Sequence, residues 1–392
     1  MVSVAALAFM IWLSLPAFGD ISDFPEYYAA SRMVLEKQGE SVYKLDDQKR
    51  AQNALFPSRN GRGATAFLIP PPGLTLLMPI GLVDRSVAPI LWKALLCCSL
   101  VPSVVVLIRM WSLDYKQSCY LIAGLALSHS CYESLRIDQQ APFLLLVLLA
   151  SIYLLQKKRH IGAGLALTLI VALKPQQFLA LIAYLVGLRR WKTLICIGMG
   201  VFFLTLVAYF LIGTEGLRNY FALLADPKLT PYMIGGYNPT VKGQLLRWFP
   251  DQSPTVFGIT TLVYMVCLTF ALFAGNSQRS RANNILFGIL VIVPLNLVTS
   301  LQCHLYDLLL LVPTLLILFM DSVIAFTPKF KMLLVLFGLP FMLPLGVEIQ
   351  FSAFWITGPL NVWSIELLAF AIVILLKTRD RLFGSGPAEL ES

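Results

Sequence analysis

Long apolar runs alternate with short polar segments along the chain. The runs are about 15 to 22 residues long, which is the length that crosses the hydrocarbon core of a bilayer as a helix. Because hydrocarbon offers no hydrogen-bond partners, each run must satisfy its backbone amides and carbonyls internally, and an α-helix does so. The pattern predicts an all-α, polytopic transmembrane bundle of about 12 spans, in a single domain over 1–383.

Composition and charge placement agree with a membrane protein. Hydrophobic residues make up 58% of the 392 residues and charged residues 13%, whereas a soluble domain has about 25% charged residues. The net charge of +9 does not indicate a nucleic-acid partner, because the bases form small clusters between apolar runs. Such clusters mark cytoplasmic loops next to the bilayer. They are Lys157–Arg159, Arg189–Lys192, Arg279–Arg281 and Lys377–Arg381.

The basic clusters, together with 329–331, set the predicted topology in the plasma membrane. If they are cytoplasmic, the extracytoplasmic segments are 132–141, 173–177, 213–254, 301–306 and 347–359. The C-terminus is then cytoplasmic. Residues 2–18 are read as a retained first helix, and if the N-terminus is cytoplasmic as well, 19–66 is a large first extracytoplasmic loop. The short tail 384–392 is predicted to be disordered.

One apolar stretch, 67–83, leaves the number of spans open. It contains Pro70, Pro71, Pro72 and Pro79, which interrupt helical hydrogen bonding. A re-entrant or interfacial segment gives about 12 spans and is the reading we favour. A full span gives 13, at the cost of one loop that violates the charge rule.

Neither the cysteines nor the acids predict a metal or another cofactor. The seven cysteines lie mostly in apolar runs, without a CxxC pair or a histidine at ligand spacing, which is typical of packing residues. Asp46 and Asp47 are adjacent, so their side chains point in different directions and are better explained as solvated charges than as paired ligands for an ion.

The first loop carries the most unusual chemistry of the chain. It holds seven acids and seven bases, and within it the segment from Asp23 to Ala30 predicts a helix near the membrane surface. Asp23 at the N-cap, Pro25 in the first turn and Glu26 at the third position form a standard helix entrance, which is one explanation of Asp23. The other is function, since Asp20 and Asp23 directly follow an apolar run, where carboxylates are costly.

Short motifs in a fixed order give the chain a family resemblance. The stretch from Asp23 to Ala30 is followed by other elements: Tyr43, Pro70–Pro72, Leu91-Trp92, Asp138-Gln139-Gln140, Lys174-Pro175, Asn238-Pro239-Thr240 with Gly243 and Arg247, and His304-Leu305-Tyr306. Over about residues 18–320 this series resembles glycosyltransferase family 87. The chain departs from the family pattern at Asp138, where the family tends to have Gly, and at Pro239-Thr240, where it tends to have Gln-Ser.

The resemblance implies a fold of the GT-C type and an inverting sugar transfer. The donor would be a polyprenyl-phosphate sugar, with mannose as the expected hexose, and the acceptor a glycolipid or glycan on the extracytoplasmic face. It implies that Asp23 is the general base that takes the acceptor proton, with Asp20 in reserve. The candidate ligands for the leaving phosphate are His304, Arg247, Lys174 and Arg136.

Several other polar residues in the motifs each have two possible roles. Gln139 and Gln140 are either polar residues at a helix end or ligands for sugar hydroxyls, and Lys174 either extends its amine to the interface or binds phosphate. Tyr27 and Tyr28 are either interfacial anchors or platforms for a sugar. Asn238 and Tyr306 belong to the matched motifs and are predicted to contact substrate, whereas His129 and His160 are read as structural.

Three rival functions remain open from the sequence. A lipid or glycan transporter would place ionisable residues in mid-membrane and show inverted repeats, whereas the apolar runs here are nearly free of charge. A polytopic scaffold without activity leaves the many acids of the first loop unexplained. Another GT-C transferase, acting with arabinose, glucose or aminoarabinose, shares every feature noted above.

Overall fold

The computed structural model describes residues 22–57, 65–226, 229, 238–281, 284–319 and 362–383. Within these ranges the chain is helical, without a β-strand, which confirms the all-α prediction for this part of the chain. The helices are α1 Phe24–Leu35, α2 Leu45–Leu55, α3 Pro71–Gly81, α4 Ala88–Trp111, α5 Tyr115–Leu127, α6 His129–Arg136, α7 Ala141–Gln156, α8 His160–Leu173, α9 Leu179–Gly187, α10 Trp191–Leu224, α11 Val241–Trp248, α12 Ser253–Gln278, α13 Asn284–Thr299, α14 Val312–Phe319 and α15 Val362–Phe383.

Three described stretches are long and apolar enough to cross a membrane, judged by length and composition alone: Ala88–Trp111, Trp191–Leu224 and Pro250–Gln278. Shorter apolar helices accompany them, among them α7, α8 and α13. The chain is therefore a membrane protein, whereas the count of about 12 spans stays a prediction. The predicted first helix 2–18, the loop 347–359 and the tail 384–392 lie outside the described residues.

The proline-rich stretch 67–83 contains only a short helix. Pro70 is extended (φ −58°, ψ 156°) and starts α3, which has 11 residues. At 1.5 Å per residue α3 is about 16 Å long, roughly half the thickness of the hydrocarbon core. This length agrees with a re-entrant or interfacial segment better than with a thirteenth span.

Two of the basic clusters lie in turns between helices, whereas Lys377–Arg381 lies within α15 and 329–331 lies outside the described residues. Lys158 (φ 58°) and Arg189 (φ 55°) both take the left-handed conformation, in the turns between α7 and α8 and between α9 and α10. The side of the membrane on which these turns lie stays a prediction.

A break in α10 marks the start of the predicted loop 213–254. Gly213 (φ 66°, ψ −177°) interrupts the helix, so Trp191 to Ile212 forms one straight segment and a shorter helix follows. Few residues other than glycine adopt a positive φ at low cost, which explains why the long helix ends at this position.

The described residues belong to two compact units. The first comprises 1–151, 164–175 and 196–232, and the second 152–163, 176–195 and 233–392. In the first, α1 packs closely against α3, since a Cβ on Gly81 would lie 2.8 Å from Ser31 Cβ. Residues 24–31 are all buried. Helix α1 is therefore an internal element of this unit, whereas the sequence predicted an interfacial helix.

The second unit is held together by close contacts between helix backbones. A Cβ on Gly275 of α12 would lie 2.2 Å from the carbonyl oxygen of Tyr184 in α9. The Tyr184 hydroxyl donates to the Asn284 carbonyl at 2.6 Å, and Asn296 Oδ1 accepts from the backbone N–H of Ala180 at 3.1 Å. These polar contacts satisfy groups buried among α9, α12 and α13. The prediction of a single domain over 1–383 stays a prediction.

Candidate active site around Asp23

Asp23 occupies the N-cap position of α1, but its carboxylate does not cap the helix. The backbone of Asp23 is helical (φ −84°, ψ −8°), and its side chain makes no capping hydrogen bond. An N-cap residue normally has an extended backbone, which directs its side chain back to the first-turn amides. Ser22 Oγ instead accepts from the N–H of Phe24 at 3.0 Å. The sequence predicted the position correctly, but the capping contact that explained Asp23 is absent.

The Asp23 carboxylate faces the loop that follows α6. Gln139 Nε2 donates a hydrogen bond to Asp23 Oδ2, and the backbone N–H of Asp23 donates to the Ile137 carbonyl at 2.9 Å. Asp23 is half-buried. The carboxylate is thus held from one side by an amide and remains partly accessible, which suits a group that must meet a substrate.

A buried ion pair lies behind this loop. Lys93 Nζ of α4 lies 2.6 Å from Asp138 Oδ1, and the two side chains are 3% and 2% exposed. Ser22 Oγ donates to Asp138 Oδ2 at 2.5 Å, and Trp92 Nε1 donates to the Asp138 carbonyl at 2.9 Å. A hydrogen bond thus ties Ser22 to Asp138 next to Asp23, and Asp138 is paired with Lys93, a charge pair that sequence reasoning did not identify.

The backbone of Asp138 shows why the family tends to have glycine at this position. Its φ is 60°, in the left-handed region that favours glycine, and glycine is the residue the family tends to have there. Burial raises the pKa of the Asp138 carboxyl, while the Lys93 ammonium and the Ser22 hydroxyl lower it. The net shift of the pKa is upward, so the contacts with Lys93 and Ser22 offset only part of the loss of hydration.

The glutamine pair has buried polar atoms without partners among the described residues. Gln140 is fully buried, and neither its Oε1 nor its Nε2 makes a hydrogen bond; the same is true of Oε1 of Gln139. A buried amide without partners costs about 1–3 kcal/mol. These atoms lie beside the residue that contacts Asp23, but the two side chains are only 4% and 0% exposed, so both readings of Gln139 and Gln140 stay open.

Arg136 already has an anionic partner. Its guanidinium binds Glu133 in a two-pronged arrangement, Nη2 to Oε1 at 2.5 Å and Nε to Oε2 at 2.7 Å. Glu133 is buried and Arg136 is half-buried. Because the guanidinium is neutralised in this geometry, a phosphate would have to compete with Glu133.

Tyr27 and Tyr28 are both buried in the first unit. Their side chains are 2% and 3% exposed, and the Tyr27 ring meets Trp92 edge to face at 5.6 Å between centroids. The Tyr28 hydroxyl donates to the Val83 carbonyl at 3.0 Å. Burial of both rings favours a packing role, and the two readings of these tyrosines, as interfacial anchors or sugar platforms, stay predictions.

Lys174 directly follows α8 and is half-buried. The end of α8 lies close to α3, since a Cβ on Gly73 would be 2.6 Å from the Ala172 carbonyl oxygen. This contact fixes the position of the backbone that carries Lys174. Asp20 lies outside the described residues.

In the second unit, the Asn238 motif forms the entrance to α11. Asn238 Oδ1 accepts from the Thr240 hydroxyl at 2.8 Å, and Thr240 Oγ1 accepts from the N–H of Gly243 at 3.1 Å as the helix cap. Asn238 and Thr240 are buried. A Cβ on Gly243 would lie 2.3 Å from the Asn238 carbonyl oxygen, so the motif needs glycine at this position.

Helix α11 carries two partly desolvated cations. Burial lowers the pKa of Lys242, whose Nζ lies 5.2 Å from the centroid of the Phe257 ring. Burial also lowers the pKa of Arg247, which is half-buried in the last turn. Cations with reduced hydration bind anions more strongly than exposed ones do. Arg247 therefore remains a candidate phosphate ligand, and Lys242 is a second candidate on the same helix.

His304 and Tyr306 lie together in the second unit. Their rings stack with centroids 5.1 Å apart and an angle of 19° between planes. Asp307, which is fully buried, accepts from the His304 N–H at 3.0 Å, and His304 Nε2 lies 3.2 Å from Gln302 Nε2. The histidine is half-buried, with its ring and backbone both held in place.

The sequence contained a signal for one of the residues that were missed. Lys93 is a single base inside an apolar run, and such residues are rare and have specific partners. Ser22 and Asp307 gave no comparable signal. Among the residues described, no three His, Cys, Asp or Glu side chains form a group that could hold a metal ion, and metal independence stays a prediction.

Comparison with known proteins identifies a family. The model of glycosyltransferase family 87 matches residues 67–300, more than half of the chain. The matched part includes Lys93, Arg136 and Asp138–Gln140, while Asp23 and His304 lie outside it. No curated protein and no solved structure matches the chain.

Proposed function

Because the chain belongs to glycosyltransferase family 87 and is thus a glycosyltransferase, we propose that it transfers a hexose from a polyprenyl-phosphate donor with inversion. The proposed hexose is mannose, and the acceptor is a glycolipid or glycan on the extracytoplasmic face of the plasma membrane. The apolar helices and the half-buried candidate ligands for phosphate support a lipid-linked donor. A nucleotide sugar would need a glycine-rich phosphate loop, and the sequence has no such motif.

In the proposed reaction Asp23 is the general base. The acceptor oxygen attacks the anomeric carbon, the bond from that carbon to the phosphate oxygen breaks, and the acceptor proton passes to the Asp23 carboxylate. Polyprenyl phosphate leaves with the bonding electrons. The observation that carries the proposal is the half-buried Asp23 carboxylate, which accepts from Gln139 and makes no capping hydrogen bond.

The amide atoms without hydrogen-bond partners are the proposed ligands for the sugar. Gln140 Oε1 and Nε2 and Gln139 Oε1 could exchange hydrogen bonds with sugar hydroxyls next to the base. Each unit offers candidate ligands for the leaving phosphate, Lys174 in the first and His304 and Arg247 in the second. A fixed cation stabilises developing negative charge without reorganisation.

The rival reading as a transporter has one observation in its favour, since Lys93 is an ionisable residue inside an apolar helix. However, Asp138 neutralises its charge at 2.6 Å, and both side chains are almost fully buried. A transport pathway requires charges that the cargo can reach, so the pair is better explained as structural support for the loop at Asp23.

Asp23→Asn tests the proposed base. We expect a loss of about 10²–10⁴-fold in mannosyl transfer from polyprenyl-phosphate mannose, with unchanged expression, because general-base catalysis contributes that factor. Asp114→Asn is the matched control: Asp114 caps α5 through the N–H of Gln117 at 2.8 Å, and Asn caps a helix about as well as Asp. The rate should survive in that variant.

Two outcomes would contradict the proposal. If Asp23→Asn lowers the transfer rate by less than about tenfold, Asp23 has a structural role and is not the base. If Asp20→Asn, which we expect only to weaken transfer, were inactive instead, the base would be Asp20. Turnover with a nucleotide sugar but none with polyprenyl-phosphate mannose would exclude the proposed lipid-linked donor.

A further inference from the structure

Three basic segments, all in the second unit, lie next to one another. The first is the turn between α7 and α8, the second is the turn between α9 and α10 with the start of α10, and the third directly follows α12. We call these segments together the basic surface. They hold eight Lys and Arg residues and no Asp or Glu, in the ranges 157–159, 189–192 and 279–281.

Contacts on each segment bring the three together. Thr193 Oγ1 lies 3.4 Å from His160 Nδ1, which joins the start of α10 to the start of α8. Arg190 Nη2 donates to Asn284 Oδ1 at 3.4 Å, so the second segment reaches the start of α13. A Cβ on Gly187 would lie 2.7 Å from a backbone nitrogen of α12, so the end of α9 packs against the helix that precedes the third segment. The third segment therefore has contacts with the second on both of its sides.

The positive charges of the basic surface are not neutralised by the protein. None of its eight bases makes an ion pair among the described residues. Bases at the surface of the first unit, in contrast, pair with acids three or four residues away, as Arg32 does with Glu36 at 2.7 Å and Arg218 with Glu215 at 3.3 Å. Gathered charges of one sign attract ligands of the other sign, so the basic surface attracts anions.

Two of the bases stand where the backbone favours glycine. Lys158 (φ 58°) and Arg189 (φ 55°) are both exposed and both in the left-handed conformation. Glycine takes this conformation with little strain, whereas a side chain makes it unfavourable. Because backbone shape alone would select glycine at both positions, the bases are better explained by their charge.

Apolar side chains border the basic surface. Trp191, Ile161 and Ile195 are each more than half exposed, and each lies within one helical turn of a base. Helix α10, which begins at Trp191, is long and apolar enough to cross a membrane. A surface of this kind suits a ligand that joins an anionic head to apolar chains.

One arginine offers a hydrogen-bond donor to that head. Arg190 is half-buried, and its Nε is buried without a hydrogen-bond partner among the described residues. The charges of Arg190 and Lys192 both act on the His160 ring, so the two cations lie together where the first and second segments meet. A guanidinium and an ammonium group close together match the oxygens of a phosphate.

We propose that the basic surface binds an anionic phospholipid, with its phosphate at Arg190 and Lys192 and its acyl chains along the exposed apolar side chains of α8 and α10. A free phosphate would leave those apolar side chains without a contact, and an acidic protein segment would not need them next to the bases. The predicted topology places the surface at the cytoplasmic leaflet, which carries negatively charged lipids. The inference does not depend on the proposed transferase function.

Native mass spectrometry of the full chain, released from detergent micelles, measures lipid binding without requiring turnover. The chain is titrated with dioleoyl phosphatidylglycerol and, separately, with dioleoyl phosphatidylcholine, which has the same acyl chains and no net charge. We expect the dissociation constant for phosphatidylglycerol to be lower by about tenfold or more, because each base close to an anionic lipid strengthens binding several-fold. The difference should shrink as ammonium acetate is raised, since salt screens exposed charges.

Glycine substitutions remove charge from the basic surface without straining its backbone. In the double variant Lys158→Gly with Arg189→Gly, the affinity for phosphatidylglycerol should fall about tenfold or more. The affinity for phosphatidylcholine and the Tm without lipid should be nearly unchanged, because glycine suits both positions. Lys37→Gly is the matched control, since Lys37 is exposed, has a φ of 62° and belongs to the first unit. Arg190→Gln should weaken phosphatidylglycerol binding as well, and Lys37→Gly should not.

Several results would overturn the inference. Equal affinity for the two lipids, or an unchanged affinity for phosphatidylglycerol in the double glycine variant, would exclude the site. An equal loss in Lys37→Gly would show that only the net charge of the chain matters. Displacement of phosphatidylglycerol by inorganic phosphate at the same concentration would assign the surface to a soluble anion, and tighter binding of a polyglutamate peptide would assign it to an acidic protein segment. Failure of the proposed function is distinct from these, because lipid binding is measured without sugar transfer.

Discussion

Lys93 and Asp138 carry opposite charges into the interior of the first unit and meet there, with Nζ 2.6 Å from Oδ1. The pair joins α4 to the turn after α6, and through Ser22 it reaches the start of α1. Gln139, the next residue, contacts Asp23. The ion pair therefore fixes the backbone on both sides of the proposed base, although neither charge touches that carboxylate in the contacts described.

Removing one member of this pair should destabilise the protein more than removing both. We expect Lys93→Met and Asp138→Asn each to lower the free energy of unfolding by about 3–5 kcal/mol, because each leaves an uncompensated buried charge. The double variant should cost clearly less than the sum. Denaturant unfolding in detergent micelles measures the cycle.

The exposed pair Arg218–Glu215 in the same unit is the matched control for that cycle. Its side chains are 76% and 42% exposed, so Arg218→Ala should change stability by about 0–1 kcal/mol. Strictly additive effects of the two buried substitutions would show that Lys93 and Asp138 do not act as a pair.

His304 should matter mainly through the leaving group. If its imidazole stabilises the departing phosphate, His304→Ala should lower turnover with the polyprenyl-phosphate donor by about 10²-fold. The loss should shrink with a donor whose leaving group is less basic, since that group needs less stabilisation. Tyr306→Phe keeps the ring that stacks on His304, so any loss in that variant reports the predicted contact of the Tyr306 hydroxyl with substrate and not the stacking. Equal losses on both donors would make His304 a structural residue.

Gly243 should not tolerate a side chain. In Gly243→Ala the new Cβ would lie 2.3 Å from the Asn238 carbonyl oxygen, and we expect a cost of about 1–3 kcal/mol as the motif shifts. Gly258→Ala on α12 has nothing within 4 Å of its Cβ and serves as the control. Thermal denaturation with a transfer assay measures both effects. A fully stable and active Gly243→Ala would show that the Asn238 turn is not needed.

Cysteine labelling tests the predicted topology, in a background without the seven native cysteines. Thr240 is fully buried, so a probe in the 213–254 loop belongs at the exposed Asp251 instead. An impermeant maleimide should label Asp251→Cys in intact cells and Lys157→Cys only after permeabilisation. The reverse pattern would invert the assignment of sides. Thr240→Cys should stay unlabelled in both conditions.

The features that could be predicted from the sequence depend on whether each short segment prefers water or hydrocarbon. The apolar runs, the all-α class and the position of the basic clusters follow from how each short segment interacts with water or hydrocarbon. The proline-rich stretch 67–83 and the break at Gly213 follow from backbone restrictions of single residue types. The ordered motifs pointed to the family, which the match over 67–300 confirms.

Tertiary structure decided which residues meet. Asp23 and Gln139 are 116 positions apart, and Lys93 and Asp138 are separated by most of α4 and by α5 and α6, so no local pattern could pair them. The sequence placed Asp23 correctly at a helix start, but only the folded backbone showed that its carboxylate turns to Gln139 and that Tyr27 and Tyr28 are buried. The sequence by itself determined that this chain is a helical membrane protein and to which family it belongs. The packing of distant segments, which depends on shape and charge at each contact, decided the geometry of the candidate site.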